Sequence, residues 1–144
     1  MPLIERSALV NHSAEQMFDL VNDIEKYPDY MRGCKSAIII SQTDDEMVGK
    51  LTLAQTGIRQ TFTTRNTLLR PHSIEMELVE GKFRDFSARW QFQSLHEKAC
   101  KVSLNMQFEF DFSLVDLAAE QLFKRVANAQ IDALVARAKL IYGC

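Results

Sequence analysis

The sequence predicts an α+β helix-grip fold: a curved antiparallel sheet wrapped around a long C-terminal helix, with two short helices after the first strand. Three observations carry that prediction. Residues 100–112 alternate without a break between apolar and polar side chains, and the chain then switches to a helical period that runs almost to its end. Between Lys35 and Leu95 the text is a succession of short strands broken by turn residues. Consecutive hairpins make an antiparallel sheet, and a sheet with one dry face needs an amphipathic cover. A strongly bent sheet closing around such a helix leaves a cavity between the two. The 144 residues read as one domain, 1–144, long enough to bury roughly 68–70% of the surface its unfolded chain exposes.

Ile4, Ala8 and Val10 mark the first strand, with Arg6 as a polar interruption. Ser13-Ala14-Glu15-Gln16 is a capping box ahead of Met17, Phe18, Leu20 and Val21, and so opens a helix. Asn22-Asp23-Ile24-Glu25 offers a second cap. Pro28 is expected to end that second helix, because the residue before a proline is driven toward extended geometry. Ser36–Ser41 and Glu46–Gln55 flank a turn at residues 42–45, and Thr56-Gly57 and Arg70-Pro71-His72-Ser73 mark further turns. Ile74, Met76 and Leu78 belong to a strand closed by Gly81-Lys82. Phe86, Ala88, Trp90 and Phe92 alternate with polar neighbours up to a turn at residues 96–99.

Cys100, Val102, Leu104, Met106, Phe108, Phe110 and Phe112 share one phase of the longest strand. Ser113-Leu114-Val115-Asp116 then reads as a helix cap, with Phe112 and Leu117 at staple spacing. From there Val115, Ala119, Leu122, Val126, Ala129, Ala133, Ala136 and Leu140 form a stripe at spacings of three and four. A helix over residues 114–142, with Gly143 as its stop, would run roughly 43 Å at ~1.5 Å per residue.

Composition narrows the function classes. Hydrophobic residues make up 47% and charged residues 25%, the balance of an ordinary globular protein. The net charge of −2 excludes a globally basic nucleic-acid binder. That average hides an asymmetry: residues 1–45 carry four basic against eight acidic side chains, and residues 59–89 carry six basic against four acidic. Residues 1–6 lack a basic leader followed by an apolar run, and no apolar stretch approaches the ~20 residues of a membrane span, so a cytoplasmic location is expected. Cys34, Cys100 and Cys144 are odd in number and far apart, and His12, His72 and His96 do not stand at metal-ligand spacing from them. Reduced thiols and no metal site are the expectation.

Catalytic signals are poor. No GxSxG, HExxH, Walker or GxGxxG motif occurs, and Asp44-Asp45-Glu46 reads as a solvated turn. No residue is assigned a catalytic role, although a buried carboxylate and tyrosine would suffice for acid–base work on such a fold. The dry faces hold Phe62, Met76, Leu78, Phe86, Trp90, Phe92, Met106 and Phe108 opposite the helix alanines. Small residues facing aromatics fit two arrangements, a filled core with close helix–sheet approach or a cavity with adaptable Met lining. Along residues 59–67, Arg59, Thr61, Thr63, Arg65 and Thr67 share one phase and Ile58 and Phe62 the other. Such a wet face suits either RNA phosphates or plain solubility.

Several separated stretches resemble the polyketide-cyclase and coenzyme Q-binding branch of START-like domains. They are residues 27–34 (Tyr27-Pro28-Asp29-Tyr30-Met31-Arg32-Gly33-Cys34), 57–66 (from Gly57 to Asn66), 78–83 (from Leu78 to Phe83) and Trp90-Gln91-Phe92. Phe108-Glu109-Phe110 and residues 137–143 extend the match over essentially the whole chain, and its bacterial ribosome-association toxins are the most similar group. The family commonly has a second proline where this chain has Arg32. The resemblance implies a hydrophobic cavity and a non-enzymatic protein with no tightly required cofactor, holding a ubiquinone-type lipid and supporting respiration. It also implies binding to the large ribosomal subunit that blocks subunit association. A cyclase or dehydratase on the same fold is the enzymatic alternative.

On that basis Tyr27 and Pro28 would shape the cavity entrance, and Phe62, Trp90, Phe92, Met106, Phe108, Leu122 and Val126 would line or back it. Arg59 and Arg65 would meet the ribosome. The implied partners are an apolar small molecule or quinone, the large ribosomal subunit and a transiently contacted membrane, with no DNA.

Overall fold

The structure, a computed structural model, describes residues 3–55, 57–111, 113 and 117–143. The long alternating segment is β7 (Ala99–Phe110), in which every even-numbered side chain from Cys100 to Phe110 is buried and Lys101, Asn105 and Gln107 are exposed. A strand this buried must also satisfy its backbone groups, and β7 pairs on both edges, with β1 (Leu3–Val10) and β6 (Phe83–His96). The sheet is completed by β2 (Cys34–Gln42), β3 (Glu46–Gln55), β4 (Ile58–Leu69) and β5 (Ser73–Glu80). Its seven strands are all antiparallel, in the order β1-β7-β6-β5-β4-β3-β2. Strands β2 to β7 are successive hairpins, and only the β1–β2 connection crosses the sheet. In the turn before β3, the Thr43 hydroxyl accepts from the backbone N–H groups of Asp45 (3.3 Å) and Glu46 (3.1 Å), and Asp44 and Asp45 are solvated.

The crossing connection holds α1 (Ala14–Asn22), which starts where its capping box says it should. Gln16 N–H donates to Ser13 Oγ at 3.1 Å, and Ser13 N–H donates to Gln16 Oε1 at 3.0 Å. The second helical piece departs from expectation. A 3-10 turn at Ile24–Lys26 has no side-chain cap, and Pro28 sits in the first turn of α2 (Tyr27–Tyr30) instead of ending a helix. Proline has no N–H to lose in a first turn, so Tyr27 takes helical angles (φ −52°, ψ −42°) and α2 starts there.

The long helix is α3 (Leu117–Tyr142). The cap at Ser113-Asp116 and the Phe112–Leu117 staple involve residues outside those described, as do Val115 and Cys144. Over the described part the buried stripe is Leu122, Phe123, Ala127, Ile131, Leu134 and Ala138. This corrects the expected one: Ala129, Ala136 and Leu140 are exposed, and Ala119, Val126 and Ala133 are half-buried. A helix with alanine on every side satisfies the three-and-four spacing along several stripes. The bulky Phe123, Ile131 and Leu134 decide which one turns inward, because they remove the most apolar area from water.

Polar ties hold α3 in place. From β1 the Arg6 guanidinium donates to the Asn128 carbonyl (2.9 Å) and to Asp132 Oδ2 (3.2 Å), which explains the polar interruption in that strand. At the other end Tyr142 Oη–H donates to the Gln16 carbonyl at 3.2 Å. Beneath one stretch of the helix lies a block of phenylalanines (Phe62, Phe83, Phe86, Phe108, Phe110 and Phe123), with neighbouring ring centroids 4.5–6.5 Å apart. Cys34 and Cys100 are buried free thiols.

Candidate ligand-binding cavity

Where the phenylalanine block ends, sheet and helix diverge around a cavity of about 60 Å³. The end of α1, the 3-10 turn and α2 wall one side through Val21, Asn22, Ile24 and Tyr27. Strands β3 to β7 form the floor, including Leu53, Thr64, Asn66, Met76, Trp90 and Met106, and α3 closes the top with Phe123, Val126, Ala127 and Gln130. Two glycines allow the walls to come together. A Cβ on Gly49 would lie 2.5 Å from Ile24 Cδ1, so the 3-10 turn packs its Ile24 side chain directly over the β3 backbone. At Gly33 the backbone has φ +90°, and a Cβ would lie 2.7 Å from Val126 Cγ2, so the loop before β2 rests directly on α3.

Five of the expected ligand-site residues line this space: Tyr27, Phe62, Trp90, Met106 and Val126. The others sit elsewhere. Pro28 is exposed on α2. Phe92 lies in the layer behind, stacked on Trp90 (6.4 Å) and edge-on to Phe18 (5.6 Å). Phe108 belongs to the phenylalanine block, and Leu122 is buried beside the Gly33 loop. Arg59 and Arg65 share the solvent side of β4, roughly 20 Å apart at ~3.4 Å per residue. Arg65 is held by Glu46 (2.8 Å) and Glu77 (3.6 Å), whereas Arg59 forms no ion pair among the described residues and borders an open groove with Lys50 and Lys82. Thr63, expected on the same wet face, is buried at 7% exposure, while Thr61, Arg65 and Thr67 on either side of it keep the wet phase of β4.

Sequence reasoning missed the polar part of the lining. Asn22, Thr64, Asn66 and Gln130 all border the cavity. Thr64 and Asn66 occupy the dry phase of β4 between Phe62 and Leu68, and polar residues in phase with buried apolar ones were the available signal. Thr64 Oγ1–H donates to Asn66 Oδ1 at 2.9 Å. Tyr27 Oη–H donates to the Val21 carbonyl, and the Gln130 side chain hydrogen-bonds the same phenol.

No lining residue carries a carboxylate, an imidazole, an amine or a guanidinium. The titratable groups are Tyr27 and Cys34. Burial drives the Tyr27 phenol well above its ordinary value, and burial pushes the Cys34 thiol up to about 11. Both are therefore neutral at physiological pH, and the cavity offers apolar contact and neutral hydrogen bonds. Among the described residues no three His, Cys, Asp or Glu side chains converge as a metal site, and no helix is long and apolar enough to cross a membrane.

This fold has counterparts among known proteins. The profile of the family described as polyketide cyclase / dehydrase and lipid transport matches residues 10–135. The chain belongs to that family. The Vibrio cholerae protein named ribosome association toxin RatA is 41% identical over 143 residues, covering 99% of both chains. A more distant relative, coenzyme Q-binding protein COQ10 homolog B of Xenopus laevis mitochondria, is 23% identical over 95% of this chain and 58% of its own length. Among solved structures, the Zhui aromatase/cyclase of Streptomyces sp. R1128 superposes with a TM-score of 0.79 at 20% identity, over 96% of this chain and 93% of that one. That level of identity speaks for the shared fold, and the chemistry has to be argued from the family's members and the residues of this cavity.

Proposed function

We propose that this chain is a non-enzymatic cytoplasmic protein that takes up an apolar ligand with a neutral polar head, a ubiquinone-type lipid, between its sheet and α3. The carrying observation is the cavity lining: apolar side chains and uncharged hydrogen-bonding groups, with no ionised acid, base or nucleophile among them. Proton transfer in a cyclase or dehydratase needs a group whose pKa lies near the working pH, and Tyr27 and Cys34 are moved away from it. The similarity to a coenzyme Q-binding protein supports the same ligand class. At about 60 Å³ the cavity is smaller than the ~150 Å³ space known to admit benzene, so a ligand enters by widening it. Met31, Met76 and Met106 in the walls suit that, because unbranched thioethers repack easily. Native mass spectrometry of protein purified without detergent tests the reading. A co-purifying or vesicle-loaded quinone-type lipid is the expected result, and protein that stays empty after incubation with ubiquinone-loaded vesicles overturns it.

A second activity, association with the large ribosomal subunit, draws on the full-length similarity to proteins named ribosome association toxin. Arg59 is its most available contact, since Arg65 is already neutralised by two carboxylates. Co-sedimentation with large subunits should weaken more for Arg59→Glu than for Arg65→Glu, and the salt dependence should flatten by about one unit of slope per lost phosphate contact. Indifference to both substitutions would remove this patch from the interface.

A further inference from the structure

We propose that the polar corner of the cavity selects a ligand bearing a ring hydroxyl, so that a quinone-type lipid is held in its reduced, hydroquinone form. This rests on the ligand-binding reading above and specifies its head group. The argument is an account of hydrogen-bonding capacity. Thr64 is 1% exposed and Asn66 is 5% exposed, so neither is satisfied by bulk water. Their mutual bond uses the only Thr64 hydroxyl proton and one lone pair of Asn66 Oδ1. Left over are the Asn66 Nδ2 donors, whose recorded partner is the Met47 sulfur at 4.0 Å, a weak acceptor at long range, and the Thr64 oxygen lone pairs. Asn22 Oδ1, at the end of α1, is buried with no hydrogen-bond partner. The phenol proton of Tyr27 goes to the Val21 carbonyl and is not available to a ligand, whereas Gln130, which donates one N–H to the phenol, keeps its carbonyl oxygen as a further acceptor.

The cavity thus presents an under-used donor and unmatched acceptors together. A hydroxyl matches both, since its oxygen accepts from Asn66 while its proton goes to Asn22 or Thr64. A quinone carbonyl accepts from Asn66 and leaves the acceptors orphaned, and an alkylbenzene leaves all of them orphaned, each at the desolvation penalty of an unpaired buried group. A carboxylate or phosphate head finds no counter-charge among the lining residues.

The test is anaerobic calorimetric titration of the full chain with three probes of equal tail length: an alkyl hydroquinone, the matching quinone and the matching alkylbenzene. Trp90, the only tryptophan, lies in the cavity wall and reports occupancy by fluorescence. The hydroquinone should bind about 10- to 100-fold more tightly than the other two. Asn66→Leu, which removes the donor, and the double variant Asn22→Leu/Thr64→Val, which removes the Asn22 and Thr64 acceptors, should each erase that preference while leaving alkylbenzene affinity unchanged or higher. If Asn66→Leu does not fold, the double variant and the wild-type probe series decide. Equal affinities in the wild type, or a preference for quinone, overturn hydroxyl selection and leave the cavity reading standing. Failure of all three probes overturns the cavity reading as well.

Discussion

The two ends of the core under α3 are built on opposite plans. At one end, six phenylalanines from β4, β6, β7 and α3 pack ring against ring, with Phe123 touching five others. At the other, beyond Phe62, Phe86 and Phe123, which also border the cavity, the same sheet and helix present methionines, a glycine and short polar side chains. Rigid rings have few rotamers and fill space completely, and stacked or edge-on pairs add about 0.5–1.5 kcal/mol each beyond their burial. Methionine and half-satisfied amides do the reverse, leaving room and unspent hydrogen bonds. One end therefore holds the helix on the sheet, and the other leaves space between them.

That contrast has measurable consequences, the largest in the phenylalanine block. Phe110→Ala, in the block and outside the cavity wall, should cost about 3–5 kcal/mol in urea unfolding, whereas Met106→Leu in the cavity wall should cost less than about 1.5 kcal/mol. Equal losses would mean that both ends are packed alike. Next in size is Gly33→Ala, which puts a Cβ 2.7 Å from Val126 Cγ2 at a backbone angle that side chains seldom adopt. It should destabilise by about 1–3 kcal/mol. An unchanged melting temperature would show that the loop does not press on α3.

The smallest effect is a pH dependence. Burial raises the Cys34 and Cys100 thiols from an ordinary value of 9.0 to about 11, and raises the Tyr27 phenol above 10.0. The unfolded chain therefore releases these protons first, so stability is intact below pH 9 and falls as pH climbs toward 11. Melting temperatures between pH 7 and 10.5 check the sign, and Cys34→Ala should shallow the fall. A flat profile would mean that water reaches both thiols.

Much of the fold was legible because its signals are local. The alternation of β7 and the Ser13–Gln16 box each depend on residues within a few positions of one another, and the structure places both where the pattern says. Pro28 was misread because the chain around it can use a proline either to stop a helix or to start one. The α3 stripe was misread because alanine contributes too little area to distinguish one face from the next. In the cavity, Tyr27, Phe62, Trp90, Met106 and Val126 were reachable from pattern and resemblance. Thr64 and Asn66 were missed because β4 carries polar residues in both phases and so blurs the contrast between a wet face and a dry one, and Asn22 and Gln130 because they come from two helices that only packing brings to the sheet.

By itself, then, the sequence determined where this chain extends, turns and coils, since backbone preference and hydrophobic period act between near neighbours. Packing decided which helix face turns inward, that Glu46 and Glu77 neutralise Arg65, that Thr63 is buried, and that Asn22 and Asn66 border one cavity. Those outcomes join residues up to more than a hundred positions apart, as Arg6 and Asp132 are, and follow from how a curved sheet and a long helix fit against each other.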